Sequence, residues 1–252
     1  MIKVDLDKLD KLDSVSLSRV RDLLANHREI QKREDSQGDF IKFTKGVWPG
    51  FIEGHHHGMM ARAFERVARG ELKRLIVNMP PRHTKSEFAS YLLPAWFLGG
   101  KPEGKVIQTS HTAELAVGFG RKVRNLVGSK EYQEVFPGVG LQADSKAAGR
   151  WNTSDGGEYF AIGVGGAVTG KGADLLIIDD PHSEQEGQSV DGAVFDRVYE
   201  WYTSGPRQRL QPGGAIVIVM TRWHKRDLTG QIIRASIERS GVDEWEVIEL
   251  PA

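Results

Sequence analysis

The run Leu175-Leu176-Ile177-Ile178-Asp179 sets four apolar residues in a row and ends them on an acid. An unbroken apolar run of this length fits a central parallel strand covered on both faces. Its carboxylate then stands at the carboxyl end of the strand, the edge where α/β sheets bind ligands. Two other segments share this build. RLIVNM at 74–79 runs through the loop PPRHTKS to Lys85-Ser86, and AIVIVM at 215–220 ends on Thr221-Arg222. KVIQTS at 105–110 reads as a further parallel strand. Helical patterns alternate with these strands. The expected fold is therefore α/β, a mostly parallel central sheet with helices on both faces.

A lysine–serine pair after one strand and a carboxylate pair after another are the two halves of a nucleotide triphosphatase. The common phosphate loop reads G-x-x-x-x-G-K-[ST]. Counting back from Lys85 puts Met79 and Thr84 at the two glycine positions, so a strict pattern search misses this loop. The physics survives in part. Backbone N–H groups of the loop and of the following helix can still face phosphate oxygens. Pro80 and Pro81 donate none, so the donors come from Arg82 onward: Arg82, His83, Thr84, Lys85, Ser86 and Glu87. Lys85 would reach the β- and γ-phosphates of ATP, the Ser86 hydroxyl would bind Mg²⁺, and Arg82 adds a planar cation suited to phosphate oxygens.

Asp179 is the magnesium-side carboxylate. Asp180 stands where many ATPases place a glutamate that orients the attacking water, and Glu184 or Glu186 is the alternative for that task. Asp180-Pro181 can equally open a turn. Thr221, at the end of a neighbouring strand, can sense the γ-phosphate.

MPPRHTKSE, GKVIQTSHTAELA, VGGAVTGKGADLLIIDDPH and VMTRWHKRDLTG, in this order, resemble the ATPase domain of tailed-phage and prophage large terminase subunits. The resemblance runs from about Trp48 to Ala252. It implies a P-loop NTPase of the ASCE type that hydrolyses Mg-ATP to move double-stranded DNA into a procapsid. It also implies partners: the portal protein of the procapsid, a small terminase subunit, and other copies of the chain in a ring, expected to be a pentamer. The location it implies is the cytoplasm of the bacterial host. Arg82, Lys85 and Ser86 fall in the phosphate loop (Walker A), Asp179 and Asp180 at metal and water, and Thr221 in the coupling motif. TGKGADLL matches a block that often reads T-G-R-G, whose arginine can reach a neighbouring subunit's nucleotide. Here that residue is Lys171, a point charge that cannot form a bidentate fork. His57, in WPGFIEGHHHGMM, falls in the region the family places near the adenine.

The chain ends at Leu250-Pro251-Ala252, about where the family passes into its nuclease, so an ATPase domain without nuclease activity is expected. The expected division is an N-terminal helical or lid segment at 1–50 and the ATPase domain at 51–252. Two other readings stay open. One is a helicase-like or repair ATPase acting on DNA, the other a nucleotide-binding domain with little turnover.

Lys plus Arg equal Asp plus Glu at 34 each, which is not the balance of a protein that binds DNA tightly by itself. Arg121, Lys122 and Arg124, and Arg207 with Arg209, are the local basic clusters. There is no cysteine, hence no disulfide or thiolate metal site. His55, His56 and His57 are consecutive and cannot easily converge on one ion. No apolar run is long enough for a membrane span, and MIKVDLDKLDKLD is no signal peptide.

The remaining expectations are local. Residues 14–34 read as an amphipathic helix capped by Ser14 or Ser16, and 38–50 as loop or short strand broken by Gly and Pro. Helices are expected at 57–69, 85–98, 112–127, 191–204 and 226–238, and a last strand at 245–250. GRWNTS and EYFAIGV form an antiparallel hairpin insertion around Asp155-Gly156-Gly157, and 181–190 a mobile loop beside the site.

Overall fold

A computed structural model describes residues 13–145, 147–187, 192–238 and 243–250. Its strands are β1 (Arg74–Asn78), β2 (Lys105–Ser110), β3 (Arg150–Asn152), β4 (Glu158–Gly163), β5 (Ala173–Asp179), β6 (Leu210–Met220) and β7 (Glu246–Glu249). They form one sheet in the order β3-β4-β2-β5-β6-β1-β7. Every pairing is parallel except β3 with β4. The expected hairpin is present, but β4 also pairs along its whole length with β2, so it belongs to the main sheet rather than to an insertion.

The helices follow from capping and apolar spacing. They are α1 (Ser14–Gly38), α2 (Phe40–Val47), α3 (His55–Ala68), α4 (Glu87–Gly100), α5 (Ala113–Val127), α6 (Lys130–Val135), α7 (Glu184–Gly187), α8 (Ala193–Ser204) and α9 (Leu228–Glu238). Asp13, not Ser14 or Ser16, caps α1, its carboxylate accepting the Ser16 N–H at 2.8 Å. Thr112 caps α5, its hydroxyl accepting the Leu115 N–H at 3.2 Å. Residues 188–191, within the expected loop and at the start of the expected 191–204 helix, lie outside the described residues.

One expectation is overturned at 38–50. Asp39 accepts the Lys42 N–H and starts α2, which buries Phe40, Phe43, Thr44 and Val47. That is the i, i+3, i+4, i+7 face of a helix. Burial of three large side chains outweighs the breaker Gly46, and Pro49 and Gly50 fall after the helix has ended.

α2 to α6 cover one face of the sheet, with Phe40, Phe64, Phe88, Trp96, Tyr132 and Trp151 in the core. α8 and α9 cover the other through Val198, Tyr202, Leu228 and Ile232. β6 runs between β1 and β5, and the register sets Asn78 beside Met220 and Asp179 beside Val219. The residues just past these strands, Met79, Thr221 and Asp180, therefore emerge side by side at the carboxyl edge.

Candidate active site

The loop at 80–86, read from the sequence as a phosphate loop, is shaped by two residues of unusual backbone geometry. Arg82 (φ 64°) and Thr84 (φ 62°) are left-handed, while Pro81, His83 and Lys85 between and around them are not. Alternating hand turns successive N–H groups toward one side, the nest that receives anions. For an L-residue this conformation costs about 1–2 kcal/mol. Glycine at position 84 would avoid the cost.

Past the loop, α4 is π-wound over Glu87–Leu92 before continuing as an α-helix from Leu93. Pro94, with no N–H for the carbonyl four residues back, sits at the junction. The wider winding places Ser86 and Ser90 roughly one turn apart, so both hydroxyls reach one carboxylate. Ser86 donates to Asp179 Oδ1 at 2.9 Å and Ser90 to Asp179 Oδ2 at 2.7 Å. Gln108 Nε2 donates to Ser90 Oγ at 2.9 Å from the neighbouring strand β2. Ser90 and Gln108 were not expected from the sequence. Nothing local marks them, because their role depends on the π turn and on β2 lying next to β5.

Ser86 and Asp179 offer two hard oxygens at one point, which suits Mg²⁺, an ion that keeps waters and phosphate oxygens for its other positions. Among the described residues no cluster of three or more His, Cys, Asp or Glu side chains forms a self-sufficient metal cage.

Asp179 is buried, and burial first, then the neighbouring Asp180 charge, pushes its carboxyl from 3.8 up to about 7. Ser90, Ser86 and Lys85 act the other way. A carboxyl with a raised native value binds more protons folded than unfolded between the two values. Its contribution to stability is thus largest below about pH 4 and falls as pH rises through 7. Asp179→Asn is therefore expected to raise the Tm of metal-free protein by a few degrees at pH 8 and by less at pH 5, at about 2–4 °C per kcal/mol. A gain equal at both pH values, or a loss at pH 8, would contradict this.

Lys85 is nearly buried, its side chain 6 % exposed. Its ammonium donates to Asp180 Oδ2 at 2.9 Å and to Thr221 Oγ1 at 3.1 Å. Asp180 Oδ1 accepts the Thr221 N–H at 2.8 Å, and Thr221 Oγ1 donates to the Met79 carbonyl at 3.3 Å. Asp180 is left-handed (φ 39°), which turns its carboxylate off the strand and toward Lys85. Lys85, Ser86, Asp179, Asp180 and Thr221 thus meet at the carboxyl ends of three adjacent strands.

The loop after β6 is organised by a residue the sequence reading passed over. Asp227 is fully buried. Its Oδ2 accepts from Arg222 Nε (3.0 Å), Trp223 N (3.1 Å) and His224 N (3.2 Å), and its Oδ1 from Gly230 N (2.9 Å). An acid just ahead of a helix is an ordinary cap signal; here it also gathers the three residues Arg222, Trp223 and His224 of the preceding loop, all within five positions of it. Asp227→Ala would strand these donors. It is expected to cost about 3 kcal/mol, read as a lower urea midpoint. An unchanged midpoint would refute the clamp.

His182 ties the carboxylate segment to the same region. Its Nε2 accepts the Leu228 N–H at 3.0 Å, so Nδ1 carries the proton. Burial holds the imidazole neutral, with its pKa lowered to about 4.

Other expected site residues lie apart from the cluster or hold structural partners. Lys171 precedes β5 and pairs with Glu158 at the start of β4, its ammonium 5.2 Å over the Phe160 ring. This is the amino edge of the sheet, about 20 Å along the strand from Asp179 at 3.3 Å per residue. Glu186 accepts the Ser183 N–H at 3.0 Å while its own N–H donates to the Ser183 hydroxyl at 3.2 Å, a reciprocal pair at the start of α7, and Glu184 is exposed. Glu87 pairs with Lys122 at 2.7 Å. His83 donates from Nδ1 to the Pro81 carbonyl at 2.9 Å, and Arg82 is exposed on the loop. His57 is buried beneath Thr84, hydrogen-bonded to its hydroxyl at 2.6 Å. Of the basic clusters, Lys122 is committed to Glu87 and Arg207 to Asp243.

The fold has a counterpart among solved structures. A mutant form of the Thermus phage P74-26 large terminase ATPase domain superposes with a TM-score of 0.50 over 83 % of this chain and 84 % of that one, at 15 % identity. The chain has the fold of a phage large-terminase ATPase domain. The HK97 bacteriophage large terminase aligns with 79 % of this chain at 15 % identity and a TM-score of 0.48, and this chain spans 39 % of its length. No family model and no curated protein sequence matches the chain. Among the described residues no helix is long and apolar enough to cross a membrane.

Proposed function

We propose that this chain is the ATPase domain of a large terminase, hydrolysing Mg-ATP to drive double-stranded DNA into a procapsid. The observation that carries the reading is the meeting of Lys85, Ser86, Asp179, Asp180 and Thr221 at the ends of β1, β5 and β6. The domain of this reading comprises residues 51–252, and the helices α1 and α2 that precede it pack against it, α2 sharing its core.

The chemistry follows from where the charges sit. The phosphate oxygens of ATP enter the nest at 82–86 and compete with Asp180 for the Lys85 ammonium. Held by Ser86 and Asp179, magnesium would neutralise charge on the β- and γ-phosphates. Release from Lys85 leaves Asp180 free to accept a hydrogen bond from water and orient it in line with the γ-phosphorus. The water oxygen bonds to phosphorus as the bond to the bridging oxygen breaks, giving ADP and phosphate. Arg82, on the exposed rim, faces the charge that spreads over the γ-phosphoryl oxygens. Thr221 shares its hydroxyl with Lys85 and its amide with Asp180, so loss of phosphate is felt at both contacts. The loop clamped by Asp227 then passes the change to α9.

The partners belong to the same reading: double-stranded DNA, the portal of the procapsid, a small terminase subunit and a ring of copies in the host cytoplasm. Lys171 would act in such a ring only after leaving Glu158. The test is phosphate release with double-stranded DNA, with and without portal-bearing procapsids. Release should rise when both are present. Turnover that responds to DNA and ignores procapsids would instead describe an ATPase acting on DNA outside a capsid.

A further inference from the structure

Thr84 occupies the phosphate-loop position where the usual pattern has glycine, and it adopts the left-handed geometry that glycine would (φ 62°). A β-branched residue there is a genuine outlier. Something outside the loop must hold it. We propose that His57 is a positioning residue of the phosphate loop, fixing the Thr84 hydroxyl and with it the direction of the loop N–H groups. The inference rests on reading this loop as the phosphate site.

The hydrogen bonds form a chain with one polarity. The Gly54 N–H donates to His57 Nδ1 at 2.8 Å, so the ring proton is on Nε2. Nε2–H then donates to Thr84 Oγ1 at 2.6 Å. The Thr84 hydroxyl donates in turn to the His83 carbonyl at 2.6 Å. Each group has a single role, and the chain runs from the start of α3 into the loop.

Packing keeps the imidazole in place. It is 5 % exposed, stacked on Phe88 of α4 at 4.7 Å and met edge-on by Phe51 at 4.8 Å. Phe88 lies two residues past Ser86, so the same ring braces the loop and the helix that follows it. Burial lowers the imidazole's pKa to about 4, so the neutral tautomer persists at neutral pH. His57 thus does for Thr84 what the absence of a side chain does for glycine.

A double-mutant cycle tests this. His57→Phe keeps the ring and deletes the hydrogen bonds, and it is made alone and together with Thr84→Gly. The readouts are affinity for a fluorescent non-hydrolysed ATP analogue and Tm without nucleotide. With Thr84 present, His57→Phe should weaken affinity about tenfold and lower Tm by about 4 °C. With Thr84→Gly present, it should change affinity by less than about twofold and Tm by less than about 1 °C. His57→Gln, which keeps an N–H donor, should recover most of the loss. Equal losses in both backgrounds would overturn the proposal and leave His57 as ordinary core. Failure of the wild-type chain to bind the analogue would sink the ATP reading instead, and the Tm half of the cycle would still decide the role of His57.

Discussion

Lys85→Ala is expected to lower phosphate release from Mg-ATP by about 10²–10³-fold, the usual cost of removing one preorganised donor from a catalytic site. The reason is positional. The ammonium lies in a nearly buried setting, with Asp180 and Thr221 as its hydrogen-bond partners. A charge there acts through low dielectric and needs little reorganisation. Arg82 is exposed on the loop and does not occupy the same place. The fold should survive, because Asp180 is 38 % exposed and can be solvated when its partner goes. Loss of turnover with Tm within a few degrees of wild type is the expected pair of results. Turnover close to wild type would remove Lys85 from the chemistry.

Phe40→Ala is expected to destabilise the protein by about 3–5 kcal/mol, the range for truncating a large buried aromatic. Phe40 is fully buried and meets Phe64, Phe88 and Trp96 edge-on, with ring centroids 5.5–5.7 Å apart. Such contacts add to plain area burial. Phe64 belongs to α3 and Phe88 to α4, so one side chain joins the N-terminal helices to the element that follows the phosphate loop. The measurement is urea unfolding by two probes. A loss under about 1 kcal/mol would mean that α2 contributes little to the core.

Much of the fold is readable because its central strands are buried on both faces. LLII, AIVIVM and the Val106-Ile107 centre of KVIQTS are apolar, and such runs fit a covered parallel strand. The ends of those strands carry the polar residues, so the site is legible to the same degree. Reading fails where tertiary contact overrides local signals. Phe40, Phe43, Thr44 and Val47 have helical spacing, yet Gly46, Pro49 and Gly50 read as loop. AIVIVM at 215–220 reads as the strand, but β6 already begins at Leu210, which pairs with Ala173. Ser90, Gln108 and His182 act through partners 18 to 89 residues away in sequence, a relation only the folded chain reveals. Thr84 is the reverse case. The sequence shows a misplaced side chain, and the structure shows the glycine-like backbone beneath it.

The residues gathered at β1, β5 and β6 are proposed to hydrolyse ATP. Phosphate release from Mg-ATP, measured across a protein concentration series with Lys85→Ala alongside, tests it most directly. The wild-type chain should turn over and the variant should not, and turnover per subunit should rise with concentration if a neighbouring copy completes the site. Equal phosphate release by wild type and Lys85→Ala at every concentration would contradict it.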